Sequence, residues 1–205
     1  MVAFVKRYRF AIAVGALVLL MAGYLLYTRL DLGGGKLPVL KESIPDFTLT
    51  DLDGEPHAFS DSDGKVRLVY FFFATCPDVC PITTRDMVDV QNELKKRGVF
   101  GSKVEFFWIS VDPYRDTPEV LERFADGYKA DRSGWHFLRG EAEKVAAIGK
   151  SFGLMVINPD PDHIVHANII ALVDQAGRLR KYIDGGREDR PLDPEAVVKD
   201  ILKLL

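Results

Sequence analysis

Val69-Tyr70-Phe71-Phe72-Phe73 runs through Ala74-Thr75 into Cys76-Pro77-Asp78-Val79-Cys80-Pro81, and this stretch decides the fold. The apolar run begins at Val66 and is bounded by Asp63-Gly64 and by Cys76-Pro77, as expected of a central strand covered on both faces. Both of the chain's cysteines lie in the six residues that follow it. Positions i and i+4 share one face of a helical turn. Two thiolates so placed can converge on one soft metal ion or close a disulfide across a tight loop.

Downstream, Ile82, Met87, Val90 and Leu94 recur at helical spacing, with Lys95, Lys96, Arg97 and Gly98 as basic last turn and stop. Val104 to Val111 reads as a second apolar strand. Thr117-Pro118 is a cap and first-turn pair for a helix bearing Val120, Leu121, Phe124, Ala125 and Tyr128. Glu141 to Phe152 is a further helix ended by Gly153. Ile169 to Val173, a turn at Asp174 to Gly177, and Leu179 to Ile183 form a hairpin, and Asp193-Pro194 opens a last helix. Upstream, Asp46 to Thr50 alternates like a half-buried strand before the turn Asp51-Leu52-Asp53-Gly54. The order strand, helix, strand, helix, helix, hairpin, helix predicts an α/β fold, a mixed central sheet flanked by helices. Functional residues in such folds gather where strands end and helices begin, which is where Cys76 and Cys80 stand.

The 205 residues allow one domain and a short appendage. Lys6, Arg7 and Arg9 precede Phe10 to Tyr27, which carries no charge, and Arg29 closes the stretch. Eighteen helical residues at about 1.5 Å each span roughly 27 Å, close to the thickness of a bilayer's hydrocarbon core. The expectation is a basic cytoplasmic segment (1–9), a transmembrane helix (10–27), a flexible tether (28–43, with Gly33-Gly34-Gly35 and Pro38) and a globular domain (44–205). The positive-inside rule then puts the N-terminus in the cytoplasm and the domain on the periplasmic side of the inner membrane. A cleaved signal peptide is the alternative, against which stand the length of the apolar core and the want of a clear small-x-small cleavage site. Both send the thiols to a compartment that oxidises unprotected cysteines. The net charge is −3, and −6 without Lys6, Arg7 and Arg9, which argues against a nucleic-acid partner.

Three segments together resemble the SCO (SenC) family, membrane-anchored thioredoxin-like copper-binding assembly factors for cytochrome c oxidase. They are Thr75-Cys76-Pro77-Asp78-Val79-Cys80-Pro81, similar to the family's CxxxCP motif; Ser110-Val111-Asp112-Pro113-Tyr114-Arg115-Asp116-Thr117-Pro118-Glu119, similar to its SVDPxRDTPE segment; and His166-Ala167-Asn168-Ile169-Ile170-Ala171-Leu172-Val173-Asp174, where the family has its single metal-binding histidine. Val165 stands where many members carry an acidic residue. The resemblance implies a thioredoxin-like fold, copper as cargo in the cuprous or cupric state, and Cys76, Cys80 and His166 as ligands. It also implies the oxidase's copper-binding subunit as partner, with a copper donor chaperone and a thiol reductant as further partners.

Two thiolates and an imidazole suit copper by softness, whereas a structural zinc ion normally takes a fourth protein ligand. A helix N-terminus lowers thiol pKa, and Pro77 and Pro81 stiffen the loop. Asp78 is a candidate neighbour of the site, or simply a carboxylate answering the helix dipole. Asp112 faces the site from a neighbouring loop or shapes its own turn. His163 is an alternative ligand three residues from His166, on the opposite face if the chain is extended. His57 and His136 read as surface or packing residues, and Phe71 to Phe73, Trp108 and Trp135 as core. The expected function is a copper metallochaperone without turnover of its own. The alternative is a thiol-disulfide oxidoreductase that uses a redox-active Cys76–Cys80 pair to reduce the oxidase subunit's cysteines. A thiol peroxidase of related fold lacks its glutamine and tryptophan companions.

Overall fold

The structure, a computed structural model, describes residues 2–29, 37–157, 160 and 163–205. It divides into two units, Met1–Lys36 and Leu37–Leu205. In the first, α1 (Val2–Arg29) forms over the apolar stretch, and the side chains from Ile12 to Leu26 are all exposed. Among the described residues no helix is long and apolar enough to cross a membrane, so the membrane pass read from the sequence does not follow from the structure. The side chains of Lys6, Arg7 and Arg9, and the glycine tether at 33–35, lie outside the described residues.

The second unit is built on a five-stranded sheet ordered β5-β4-β3-β8-β9: β3 (Val66–Phe72), β4 (Val104–Ser110), β5 (Trp135–Leu138), β8 (Ile169–Val173) and β9 (Leu179–Asp184). β3 pairs in parallel with β4, β4 in parallel with β5, and the β8–β9 hairpin closes the other side antiparallel. The run Val66–Phe72 is buried at every position because each face has its own cover. Leu68, Tyr70 and Phe72 pack with Met87, Val90 and Leu94 of α2 (Val79–Lys96), Leu121 of α3 (Pro118–Gly127) and Val198 and Ile201 of α5 (Pro194–Leu202). Val69 and Phe71 pack with Val145 and Ile148 of α4 (Ala142–Ser151), and with Leu49 and Phe59. Burying each large side chain contributes roughly 1.5–3 kcal/mol, and truncating Phe71 to alanine is expected to cost about 3–5 kcal/mol.

The helix starts follow the sequence. Thr117 accepts from Val120 N at 3.4 Å with Pro118 in the first turn, and Asp193 accepts from Glu195 N and Ala196 N at 3.0 and 3.2 Å. Gly177, at φ +77°, closes the β8–β9 turn in a conformation that favours glycine.

Four features differ from the expectation. The first strand is only β1 (Thr48–Thr50), paired antiparallel with β2 (Pro56–Ala58). β5 interrupts the two helices read as consecutive and supplies the third parallel strand. β6 (Val156–Ile157) and β7 (Val165–His166) make a small separate ladder. Finally, the domain begins at Leu37 and not at Ile44. Arg180 donates to Leu37 O and Pro38 O, and Leu40 N and Leu179 N make backbone bonds that join this segment to the start of β9. Residues 37–43 are therefore part of the domain and not tether. Leu179 sits opposite Val173, which in turn sits opposite Arg67 at the beginning of β3, so the chain enters at the sheet end remote from Phe72.

Phe71, Phe72, Trp108 and Trp135 are core, and Phe73 packs against it half-buried. His57 and His136 are packing residues too, but of each other, with ring centroids 4.4 Å apart. Beside them lies Glu105, which accepts from Lys65 Nζ at 2.5 Å and from the Ser62 hydroxyl, with His136 Nε2 at 3.3 Å.

Candidate functional site

At the end of β3 the chain leaves the sheet and reaches α2 in six residues. Cys76 N donates to Phe73 O at 3.2 Å, and α2 starts at Val79, so Cys76 lies just outside the helix and Cys80 within its first turn. Pro81 falls where a helix leaves its N–H groups unbonded, so its missing donor costs nothing there. Asp78 occupies the cap position but makes no side-chain cap bond and points to solvent. The backbone N–H groups of Asp78 and Cys80 favour the charged form of the nearby Cys76 sulfur.

Both cysteines are free thiols, Cys76 8% exposed and Cys80 fully buried. A hydrogen bond from Cys80, working against the cost of burial and joined by bonds from His166 and the two backbone N–H groups, draws the Cys76 thiol down to about 4. The Cys80 thiol moves upward, because it shares its proton with the Cys76 sulfur and lies in apolar surroundings. The pair releases one proton readily and the second reluctantly, and at neutral pH it is a monoanion.

His166 arrives from β7, opposite Val156 of β6, and its Nε2 lies 3.7 Å from Cys80 Sγ. Nδ1 lies 3.3 Å from Ala167 O, so one ring nitrogen faces the backbone and the other faces the sulfurs. Phe73 and Tyr70 meet the ring edge-on at 5.6 and 6.3 Å between centroids. His163, the alternative ligand, is exposed and paired with Asp160 at 2.8 Å. The structure thus brings Cys76, Cys80 and His166 together and leaves His163 outside. Among the described residues no group of three or more His, Cys, Asp and Glu side chains stands in metal-ligating geometry. The three are near neighbours and not a closed coordination shell, and a soft ion would draw them together through side-chain rotation.

Asp112 does not face the site. Fully buried, it accepts from Tyr114 N and Arg115 N at 3.1 Å and from Arg115 Nε at 2.5 Å, shaping its own loop. The carboxylate that crosses to the cysteine loop is Asp116, which accepts from Ala74 N at 3.1 Å and from Ser110 Oγ at 2.5 Å. Burial raises its pKa to about 6. Its position in the Arg115-Asp116-Thr117-Pro118 segment was the available signal. Two further residues escaped the sequence reading. Tyr70 is fully buried with its hydroxyl against Cys80, and Asn168 bonds to it at 2.7 Å.

Comparison with known proteins places this geometry. The SCO1/SenC family model matches residues 38–205. The SCO1 protein homolog of Bacillus subtilis is 32% identical over 167 residues, which cover 79% of this chain and 82% of that protein. Among solved structures, BsSco is a member of the Sco family of cytochrome c oxidase assembly proteins in which a disulfide switch has been identified. It is 28% identical with a TM-score of 0.71, covering 83% of this chain and 98% of that one. ScoI of Bradyrhizobium japonicum, solved with copper bound, is 27% identical with a TM-score of 0.64, covering 80% of this chain and 99% of that one. With its sheet order, its paired thiols at the start of α2 and a match over nearly the whole second unit, this chain belongs to the SCO1/SenC family.

Proposed function

We propose that this protein is a copper-binding metallochaperone that assists assembly of the binuclear copper centre of cytochrome c oxidase, with Cys76, Cys80 and His166 as ligands and no turnover of its own. The observation that carries this reading is the approach of His166 Nε2 to Cys80 Sγ, 3.7 Å, beside an ionised Cys76. Two sulfurs and one imidazole nitrogen satisfy a cuprous ion, and an added oxygen ligand suits the set to the cupric ion. The partner that receives the metal is the oxidase's copper-binding subunit, and a donor chaperone and a thiol reductant serve this protein upstream. In this reading α1 anchors the protein in the inner membrane with the domain on the periplasmic side. The domain's first residues, Leu37 to Lys41, join it at the sheet end opposite the cysteines.

A second reading rests on the charge of Cys76. A thiolate beside a protonated thiol is the arrangement of a dithiol reductant. Cys76 attacks a partner disulfide, Cys80 resolves the mixed disulfide, and the Cys76–Cys80 disulfide formed is returned to dithiol by the thiol reductant. One experiment separates the two. The reduced full chain is titrated with copper, and its disulfide-reducing activity is measured on the same preparation. The expected result is about one copper per chain, strongly weakened in Cys76→Ala, Cys80→Ala and His166→Ala. Full affinity in the His166 variant removes the third ligand, and disulfide reduction without copper binding leaves only the second reading.

A further inference from the structure

Asn168, in the two-residue joint between β7 and β8, ties the segment that presents His166 to the helix that presents Cys80. Its Oδ1 accepts from Tyr70 Oη at 2.7 Å and lies 3.2 Å from Thr83 Oγ1, while its Nδ2 donates to Gly186 O at 3.2 Å. Its backbone carbonyl accepts from Gly185 N at 2.9 Å. One amide thus bonds to β3 through Tyr70, to α2 through Thr83, and to the loop after β9 through Gly185 and Gly186. Tyr70 and Thr83 are fully buried, so neither can exchange its bond for one to water. The space is made to fit: a Cβ added at Gly185 would collide with the Asn168 amide, and one at Gly186 would lie 2.5 Å from Asp86 Oδ2.

We infer that Asn168 is a positioning residue whose amide fixes the distance between His166 Nε2 and the Cys80 sulfur. The inference rests on the metal-binding reading above for its purpose, though not for its geometry. His166 stands two residues before the amide and Thr83 three residues after Cys80, less than one helical turn away. A bond between Asn168 and Thr83 therefore ties the ligand-bearing ends of two elements 85 residues apart in sequence. β6 and β7 pair over only two residues each, which is too little ladder to hold the imidazole in place alone. The Tyr70 hydroxyl, which lies against Cys80, places the same amide beside the sulfur as well.

The test compares the full-length wild type, Asn168→Leu, which keeps the volume and removes the bonds, and Thr83→Val, which removes the hydroxyl that lies 3.2 Å from Asn168 Oδ1 and 3.3 Å from Gly186 O. His166→Ala is the reference. In the reduced, copper-free proteins, nitrogen NMR of the His166 ring reports its tautomer and order, quantities that a general loss of stability does not move while the protein stays folded. The wild type is expected to show one ring state, and Asn168→Leu an averaged one. With copper(II) added, Asn168→Leu is expected to bind about 10- to 100-fold more weakly and to lose imidazole nitrogen couplings in its paramagnetic resonance spectrum, approaching His166→Ala. Thr83→Val, the milder change, is expected to lose roughly 2- to 10-fold. If Asn168→Leu does not fold, the Thr83→Val result decides. Wild-type ring spectra and copper affinity in the folded variants overturn the inference. Failure of the wild type itself to bind copper overturns the proposed function, while the copper-free ring spectra still decide the role of Asn168.

Discussion

Alkylation of the reduced protein at pH 5 tests the charge assigned to Cys76. A thiol at its ordinary 9.0 is ionised to about one part in 10⁴ at that pH, whereas one at about 4 is about nine-tenths ionised. A less basic thiolate is a weaker nucleophile, by a factor of about 100 to 300 over five pH units at a Brønsted slope of about 0.4–0.5. The net expectation is reaction roughly 30- to 100-fold faster than an ordinary cysteine of equal accessibility at pH 5. Cys76 is only 8% exposed, so the absolute rate is slowed and the midpoint of the rate against pH is the decisive quantity. Iodoacetamide labelling quenched at intervals and read by peptide mass spectrometry gives rate and site together. The midpoint should lie near 4 in the wild type. His166→Ala, which removes one hydrogen bond to a charged sulfur, should raise it by about one to two pH units, the equivalent of about 1.5–3 kcal/mol. A wild-type midpoint between 8 and 9, or a first label on Cys80, would refute the argument that the sulfurs share one proton with the charge on Cys76.

Two other expectations follow from bonds remote from the thiols. Despite burial, which acts the other way, bonds from His136, Lys65 and Ser62 hold Glu105 at about 2, so its stabilisation is present above pH 4.5 and lost as the pH falls towards 2. The shift corresponds to about 3 kcal/mol, and about 2 kcal/mol after allowing for solvent at Lys65, which is 29% exposed; Glu105→Gln should lose that much in urea unfolding at pH 7 and little at pH 2, and equal losses at both would sink it. A chain begun at Ile44 instead of Leu37 loses both Arg180 bonds and the Leu40 and Leu179 backbone bonds, so its unfolding free energy should fall by about 3 kcal/mol, and an unchanged denaturation midpoint would put those residues back in the tether.

What was legible in the sequence was local. The apolar run Val66–Phe72 announces a strand covered twice because its alternate members, Leu68, Tyr70, Phe72 against Val69, Phe71, each find a separate cluster. The thiol pair announces itself because i and i+4 are neighbours on any helical turn. β5 was not legible, since Trp135-His136-Phe137-Leu138 is too short to display a period and follows directly on Gly134. β2 was hidden for the reason that Pro56-His57-Ala58 has little strand preference and is held by its partner Thr48–Thr50. The two carboxylates of the Ser110 to Glu119 segment were indistinguishable by type. Which of them crosses to Ala74 is settled by the parallel register of β3 and β4, and Asp112 turns back into its own loop while Asp116 reaches across. Asn168 was invisible because its partner Tyr70 lies 98 residues earlier.

The two readings of the site divide on one side chain. A thiolate at a helix start serves metal binding and disulfide exchange equally, since both begin with an ionised sulfur. The buried thiol of Cys80 serves both too, as a second ligand or as the resolving group. His166 does not divide evenly between them. An imidazole with Nδ1 facing Ala167 O and Nε2 3.7 Å from a sulfur is placed to reach an atom held between them. Exchange between sulfurs gains from it only the one hydrogen bond to Cys76, which two backbone N–H groups and Cys80 already supply in greater part. The elements that fix this ring, Asn168 with Tyr70 and Thr83 behind it, are therefore the ones a copper carrier needs and a simple dithiol reductant could lose. The expected consequence is an asymmetry between the two activities. Asn168→Leu should weaken copper binding while leaving disulfide reduction close to wild type, and parallel loss of both would mean that the imidazole serves the thiols and not the metal.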